Sequence, residues 1–357
     1  MGQIHARLLK RLNGAVRLVG IVDPHADLAA MGQEFAGIPF FLTCKDWRES
    51  GNSADLMLIA SPNGWHPTHL GYAMDLRMPA LVEKPLCIRM EDALPLMNRA
   101  EEGNLPVWVM MQSRMNPALQ HVHQLVHSGE MGDVLRVDVQ CYWNRGDEYY
   151  KPGGWQGHAG LDGGTLYTQF SHVLDAILWI FGPWAQHSAV IANLTHQHLH
   201  ELDDTGSVQF TTEAGAMGTF NYSTSAYPCT LDQSITVLGT KGTLRLVGQY
   251  MNQFFWYRVE GRDQAPLLPS AGPDEHRLAL WREVIARHEG AGPNNGLSEH
   301  LPQPRLVGLR EASEVVALIE QIYNQALRGP KTMSHLDTAQ EFNLPDLTTL
   351  REAGSKG

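Results

Sequence analysis

Short apolar runs alternate with segments of helical spacing along the first third of the chain. The runs predict strands at residues 16–22, 40–41, 55–60, 81–83 and 107–111. Helical periodicity fills the intervals and predicts helices near residues 4–12, 26–35, 68–77 and 90–102, with a helical turn near Trp47. This alternation indicates βαβ units and a parallel sheet of the dinucleotide-binding, Rossmann type.

The second part of the chain has a different pattern, in which strands follow one another with few helices between them. Strands are predicted at residues 134–143, 188–194, 204–212, 216–222, 234–238 and 243–247. Helices are predicted at residues 117–127, 163–181, 276–288 and 305–327. The fold class is therefore α/β plus α+β: a Rossmann domain at 1–113, an open, mixed or antiparallel sheet for substrate and oligomer contacts at 114–330, and a tail at 331–357.

The Rossmann pattern begins at a helix, so its first strand is apparently missing. Met1-Gly2 reads as the tail of a G-x-G-x-x-G turn, with Gly2 as the last glycine. We expect an N-terminally truncated domain, and a misplaced start is favoured over a functional deletion. Asp23 lies about twenty residues further on, where an acidic residue binds the ribose diol of NAD. Its alternative role is a turn or cap residue before Pro24.

Composition excludes several classes of protein. The chain has 357 residues and a formal net charge of −11, without a dense basic run, which argues against nucleic-acid binding. Its 4 cysteines form no C-x-x-C pair, so reduced thiols in a cytoplasm are expected. No apolar run has membrane-spanning length, and the first ten residues lack the apolar core of a signal peptide.

The stretch from Ala80 to Leu86 combines a buried strand with a charge pair. Its apolar run is typical of a central parallel strand, and Pro85 must end it. Ligands bind at the carboxyl ends of such strands. Lys84, partly desolvated there, can transfer protons or polarise a substrate oxygen. The alternative is a solvated loop lysine paired with Glu83.

Two further segments carry candidate chemistry. Thr168, His172 and Asp175 fall on one helical face, where His172 either takes a hydroxyl proton or is a satisfied core histidine. In the loop after the third strand, Asn63 either bonds the nicotinamide carboxamide or ribose, or serves as a capping residue. His66 begins or supports the next helix.

Three histidines at period two, His196, His198 and His200, have the spacing of metal ligands on one strand face. No acidic or cysteine ligand nearby has suitable spacing. We therefore expect an exposed loop and no metal.

Taken together, these motifs resemble the Gfo/Idh/MocA oxidoreductase family. The likeness rests on Glu83-Lys84-Pro85, Ser61-Pro62-Asn63 with His66, Gln112-Ser113-Arg114, and Gly163-Gly164 followed by His172 and Asp175. The segment from Tyr142 to Trp155 resembles members that act on nucleotide-linked sugars, such as the UDP-N-acetylglucosaminuronate 3-dehydrogenases.

The resemblance implies an NAD(P)-dependent sugar dehydrogenase, with NAD as the expected cofactor, that passes hydride from a ring hydroxyl to the nicotinamide. Lys84 would orient the substrate and assist proton transfer, and His172 would be the base that takes the proton from the hydroxyl. Cofactor contacts would come from Gly2, Asp23, Ser61, Asn63, His66, Glu83 and Lys84. The sugar side would involve Arg114, Asn144, Arg145, Tyr149, Tyr150, Trp155, Thr168 and Asp175.

The sequence departs from the family at Thr168, where many members carry Asp or Asn, and at Phe170, where many carry Gly. A three-residue Lys/Asp/His relay is then reduced to Lys84 and His172. Two rivals remain: an inositol or free-sugar dehydrogenase, and a non-catalytic sugar-binding homologue that lacks the glycine-rich turn. The open sheet, which must cover its other face, predicts a homodimer or homotetramer.

Overall fold

The computed structural model describes residues 1–12, 14–24, 34–151, 153–269, 271–290 and 306–328. Helices and strands alternate in its first part. The elements are α1 (Gly2–Lys10), β1 (Ile21–Val22), β2 (Phe40–Phe41), α2 (Cys44–Glu49), β3 (Met57–Ile59), α3 (His66–Asp75), β4 (Ala80–Val82), α4 (Met90–Gly103) and β5 (Val107–Val109).

The second part is dominated by strands. Its elements are α5 (Pro117–His127), β6 (Val134–Tyr142), α6 (Ala159–Asp162), α7 (Ser171–Phe181), β7 (Trp184–Ala192), β8 (Thr205–Thr212), β9 (Met217–Ser223), β10 (Asp232–Gly239), β11 (Gly242–Val247), β12 (Gln253–Val259), α8 (Pro273–His288), β13 (Val307–Gly308), α9 (Leu309–Gln325) and β14 (Leu327–Arg328). Single helical turns lie at Asn63–Trp65, Gln112–Met115 and Asp147–Tyr149, and a π-helical turn lies at Leu166–Phe170.

β4 is a central strand of the parallel sheet. Its three residues are fully buried, and it pairs in parallel with β3 on one side and β5 on the other. β13 adds an antiparallel strand beyond β5. β1 and β2 pair with each other in parallel, and among the described strands they form a separate sheet. The prediction of a buried parallel strand before Glu83 is confirmed.

The larger sheet has eight strands in the order β12-β11-β10-β6-β9-β8-β7-β14. It is mixed, because β6–β9 and β7–β14 are parallel pairs while the others are antiparallel. α5, α7 and α9 pack together, and their apolar residues share one core with the inward residues of the sheet. The predicted fold class is thus confirmed.

The late helix α8 returns to the first part of the chain. Trp281 and Val284 join a buried cluster with Leu8 of α1 and Leu81 of β4. This packing brings residues of α8 next to the carboxyl end of β4, which no local pattern in the sequence predicts.

The predicted helix at 163–181 is interrupted. Gly163 and Gly164 have φ of 84° and 119°, which side-chain-bearing residues rarely adopt. A Cβ atom on Gly164 would lie 2.5 Å from the Tyr323 hydroxyl. A turn therefore precedes the π-helical turn, and α7 begins only at Ser171.

Other boundaries also differ from the predictions. The strand predicted at 16–22 is limited to Ile21–Val22, and β12, β13 and β14 were not predicted. The helix predicted at 26–35 lies mostly outside the described residues, as does the tail from Gly329. Among the helices that the structure describes, none is both long and apolar enough to cross a membrane.

Candidate active site

Lys84 lies where β4 ends, and its ammonium group reaches the second part of the chain. Nζ donates a hydrogen bond to the main-chain oxygen of Thr168. Burial lowers the pKa of Lys84 to about 8; Glu83 opposes this shift, whereas Arg277 and Arg145 add to it. Lys84 therefore carries its proton at neutral pH but releases it more readily than an ordinary lysine.

Glu83 is held in a buried hydrogen-bond chain. His5 Nε2 lies 2.7 Å from Glu83 Oε1, and Trp281 Nε1 donates to His5 Nδ1 at 3.1 Å. Because an indole can only donate, the hydrogen of His5 is on Nε2 and points to Glu83. Burial raises the pKa of Glu83, but the bond from His5 and the charges of Arg277 and Lys84 outweigh it, and the pKa falls to about 2.

His172 follows the π-helical turn, a distortion that is frequent at functional sites. Its Nδ1 is buried and has no hydrogen-bond partner within the described structure. Burial lowers the pKa of His172 well below its usual range, and the charges of Lys84 and Arg277 lower it further. The imidazole is therefore neutral at pH 7.

Asn63 connects the two parts of the chain. Its Nδ2 donates to the Thr168 hydroxyl at 2.7 Å and to the main-chain oxygen of Asp162 at 2.9 Å. The two segments approach so closely that a Cβ on Gly64 would lie 2.1 Å from the main-chain oxygen of Gly160. Both amide hydrogens of Asn63 are thus engaged with the second part of the chain.

His66 and Ser61 organise the strand ends. The His66 ring is 1% exposed, with Nδ1 2.7 Å from the Pro85 oxygen and Nε2 2.9 Å from the Ser61 oxygen. It therefore bridges the loops after β3 and β4. The Ser61 hydroxyl lies 2.8 Å from His69 Nδ1.

The amino end of α1 has the properties of a diphosphate site. No side chain caps the helix, and its first turn contains no acidic residue. The partial positive charge of the helix terminus is therefore uncompensated, as an anionic cofactor requires. Gly2 is exposed there, and Asp23 follows β1. The roles of Gly2 at the pyrophosphate and of Asp23 at the ribose of NAD stay predictions.

Arg145 dominates the predicted sugar side. Its guanidinium lies 4.8 Å from the Trp143 ring centroid and 5.3 Å from that of Tyr149. Its Nε donates to Gln169 Oε1 at 2.9 Å, and Gln169 Nε2 donates to the Tyr149 hydroxyl at 2.8 Å. Asn144 Nδ2 donates to the main-chain oxygen of Ala226. This bond connects the loop after β6 to the segment that follows β9.

The remaining predicted site residues have other surroundings. Tyr150 is 8% exposed and packs on His196 and His200. Trp155 is half-buried. Arg114 and Asp175 form a buried ion pair with each other.

The three histidines do not share a strand face. His196 is buried, with Nδ1 3.0 Å from Asp204 Oδ2, while His198 is exposed and lies beside Asp147. His200 stacks on His196. Among the described residues, no group of three or more potential ligands could hold a metal ion.

Sequence reasoning missed four residues near Lys84: His5, Asp162, Arg277 and Trp281. His5 shares the spacing of Leu8, Leu9 and Leu12, so its position on the buried face of α1 was detectable. The others depend on tertiary contacts.

Two family models match the chain. The "Oxidoreductase family, NAD-binding Rossmann fold" matches residues 1–111, and the "GFO/IDH/MocA C-terminal domain" matches residues 119–245. Fold and site define an NAD-binding oxidoreductase. The chain belongs to the Gfo/Idh/MocA family.

Three similar proteins illustrate the range of this family. The WlbA dehydrogenase from Bordetella pertussis, solved with NADH and UDP-GlcNAcA, is 28% identical with a TM-score of 0.78, covering 91% of this chain and 92% of that one. The 4-carboxy-2-hydroxymuconate-6-semialdehyde dehydrogenase of Sphingobium sp. is 26% identical over 86% of this chain and 93% of its own. An inositol 2-dehydrogenase of Corynebacterium glutamicum is 27% identical over 54% and 53%.

Proposed function

We propose that this protein is an NAD-dependent dehydrogenase that oxidises a ring hydroxyl of a nucleotide-linked sugar. The observation that carries the proposal is the meeting of Lys84 with the turn that leads into His172. Lys84 Nζ donates to the carbonyl of Thr168, one helical turn before an imidazole whose buried Nδ1 has no hydrogen-bond partner among the described residues. Hydroxyl oxidation needs a base that takes the hydroxyl proton and a cation that stabilises the negative charge that develops on the oxygen. A neutral imidazole beside an ammonium group can provide both.

The charge states assign the roles. Bound NAD supplies the hydride acceptor. His172, neutral because its pKa is lowered by burial, takes the hydroxyl proton. The ammonium of Lys84 donates a hydrogen bond to the substrate oxygen as the carbon–oxygen double bond forms. The products are a ketone, the reduced cofactor and a proton on His172.

An anionic substrate suits the charges around this centre. Lys84, Arg277 and Arg145 all lower the pKa of His172, so three cations act on the same imidazole. A carboxylate or diphosphate on the substrate would complement them. The likeness to WlbA, solved with a nucleotide-linked uronic acid, supports the same class. The aromatic faces of Trp143 and Tyr149 beside Arg145 suit a sugar or a nucleobase.

The test compares turnover of three substrates with NAD, followed by NADH absorbance. UDP-GlcNAcA should be oxidised with kcat/KM at least about thirtyfold above UDP-GlcNAc, which lacks the carboxylate, because the loss of one partner of a desolvated ion pair costs about 2–5 kcal/mol. myo-Inositol should not be turned over detectably. Preferred turnover of myo-inositol would instead establish the alternative that the inositol dehydrogenase relative suggests.

A non-catalytic sugar-binding role predicts a different result. NADH fluorescence titration of this chain should give saturable binding if the enzyme proposal holds. Binding of UDP-GlcNAcA without any binding of NADH would favour the non-catalytic role.

The exposed face of the eight-stranded sheet supports a homo-oligomer. Val190, Met217 and Phe255 project large apolar side chains that are at least half exposed. Analytical ultracentrifugation should give a dimer or tetramer, and a monomer at micromolar concentration would contradict this assignment.

A further inference from the structure

Asp162 is a buried carboxylate beside the candidate active site, and the reaction above gives it no role. It is 3% exposed. Oδ1 accepts hydrogen bonds from the Thr168 hydroxyl at 2.5 Å and from the Gly164 amide at 3.3 Å, and Oδ2 accepts one from the Gly157 amide at 2.8 Å. A buried carboxylate with this many donors is an organised feature of the fold.

The three bonds reach three separate parts of the site. Gly157 belongs to the loop that carries Trp155. Gly164 belongs to the turn that precedes the π-helical turn. Thr168 provides the carbonyl that receives the ammonium of Lys84. One carboxylate therefore connects the predicted sugar loop to the acceptor of the lysine.

We propose that Asp162 is a positioning residue for Lys84. This inference rests on the proposed function. Through the Thr168 hydroxyl, Asp162 fixes the carbonyl that receives the ammonium, and through Gly157 it fixes the loop after β6. Lys84 and the loop then keep one relative placement when substrate binds.

Four charged groups and one neutral titratable group act on Lys84 or share its surroundings. The charged groups are Glu83 beside it, Arg277 on α8, Arg145 after β6 and Asp162 on α6, and the neutral group is His172 on α7. Glu83 and Asp162 favour the ammonium form, whereas the two arginines disfavour it. Of these two acidic groups, Asp162 is the one that the second part of the chain provides. Removing its charge should therefore make Lys84 easier to deprotonate.

The first experiment measures Lys84 directly and needs no substrate. Trace acetic anhydride is reacted with the intact protein from pH 6 to 10, and acetylation of Lys84 is followed by peptide mass spectrometry. Wild-type Lys84 should titrate near pH 8. In Asp162→Asn the midpoint should fall by about one unit, the effect of one nearby buried charge. Asp203→Asn removes another buried carboxylate that lines the same small cavity as Asp162 and should leave the midpoint unchanged.

The second experiment uses Thr168, since Asp162→Asn alone can perturb folding. Thr168→Val keeps the shape but removes the hydroxyl, whereas Thr168→Ser keeps the hydroxyl. Thr168→Val should lose about ten- to a hundredfold in kcat with an unchanged dissociation constant for NADH, and Thr168→Ser should stay near wild type.

The outcomes separate the two proposals. An unchanged Lys84 midpoint in Asp162→Asn, or a wild-type kcat in Thr168→Val, overturns the positioning role. A second outcome combines two results: the Lys84 midpoint falls in Asp162→Asn, but the wild-type protein turns over none of the three substrates. It would overturn the proposed function and leave the positioning of Lys84 standing.

Discussion

Arg114 and Asp175 face each other through two parallel hydrogen bonds. Arg114 Nε donates to Asp175 Oδ2 at 2.9 Å and Nη2 donates to Oδ1 at 2.8 Å, with both side chains almost fully buried. The third nitrogen of Arg114 donates to Glu311 at the start of α9. The guanidinium therefore joins the turn after β5, α7 and α9, and its donors are directed at protein carboxylates.

Loss of either partner should destabilise the fold. Arg114→Leu leaves the buried carboxylate of Asp175 without a counterpart, and Asp175→Asn leaves the buried guanidinium with only the partly exposed Glu311. Each should lower the free energy of unfolding by about 3–5 kcal/mol. Urea denaturation at pH 7 measures this. Arg310→Leu, which removes an exposed partner of Glu101, should change it by less than about 1 kcal/mol.

The same variants test whether this pair binds substrate. Well below their melting temperatures, Asp175→Asn and Arg114→Leu should keep the wild-type KM for the sugar. A KM raised tenfold or more in the folded variants would show that Arg114 and Asp175 belong to the substrate site, as the family resemblance implies.

The sequence predicts those parts of the site that depend on local patterns. The apolar run before Glu83 and the proline after Lys84 are sufficient to predict a strand end, and Asn116-Pro117 marks the start of α5. The partners of Lys84 are not predictable in this way. Thr168 and Arg277 reach it only because the second part of the chain folds back onto the first, and residue spacing carries no information about such contacts.

Replacing the catalytic pair should abolish turnover without loss of cofactor binding. Lys84→Ala and His172→Ala should each lower kcat by about two to four orders of magnitude. Lys45→Ala, at an exposed lysine, is the control and should match wild type. Full kcat in both site variants, with normal NADH binding, would show that the site has been assigned wrongly.

The lowered pKa of Lys84 predicts an alkaline limb in the rate profile. If the ammonium form is required, kcat/KM for hydroxyl oxidation should fall as pH rises past about 8, where Lys84 loses its proton. An ordinary lysine would keep its proton to pH 10. A rate that instead rises through pH 8 and then levels off would make Lys84 the proton acceptor in place of His172.

The buried charge of Lys84 should also lower the free energy of unfolding at neutral pH. Its pKa is about 8 in the folded protein against 10.5 ordinarily, so the folded state bears the full cost of the buried charge below pH 8. That cost declines as pH rises from 8 to 10.5. Lys84→Met should therefore raise the free energy of unfolding by about 1–3 kcal/mol at pH 7, and by less at pH 9.5. Urea titrations at the two pH values check the difference; an equal gain at both would contradict the charge explanation.

Glu83, in contrast to Lys84, should stabilise the folded protein at neutral pH. Its pKa falls from 4.5 to about 2 on folding, so its stabilisation is complete above pH 4.5 and is lost as pH falls toward 2. Glu83→Gln should cost about 2–3 kcal/mol at pH 7, and the difference from wild type should shrink below pH 4. Glu102→Gln, at an exposed position, is the matched control. A loss that stays constant down to pH 3 would point to packing and not to charge.

Arg277 should select for charge on the substrate. It lies near the amino end of α8, its Nε is buried without a partner in the described structure, and its Nη1 donates to Asp274 at 3.0 Å. The charge of Arg277 lowers the pKa of Lys84 and of His172, so we expect it to attract an anionic substrate group more strongly than a neutral one. Arg277→Gln should therefore lower kcat/KM for UDP-GlcNAcA by about ten- to a hundredfold and change that for UDP-GlcNAc by less than threefold, since a charged hydrogen bond contributes about 1.5–3 kcal/mol. Arg282→Gln changes an exposed arginine on the same helix and should affect neither substrate. Equal losses for both substrates in Arg277→Gln would assign Arg277 to the support of Lys84 and Glu83 instead of to substrate selection.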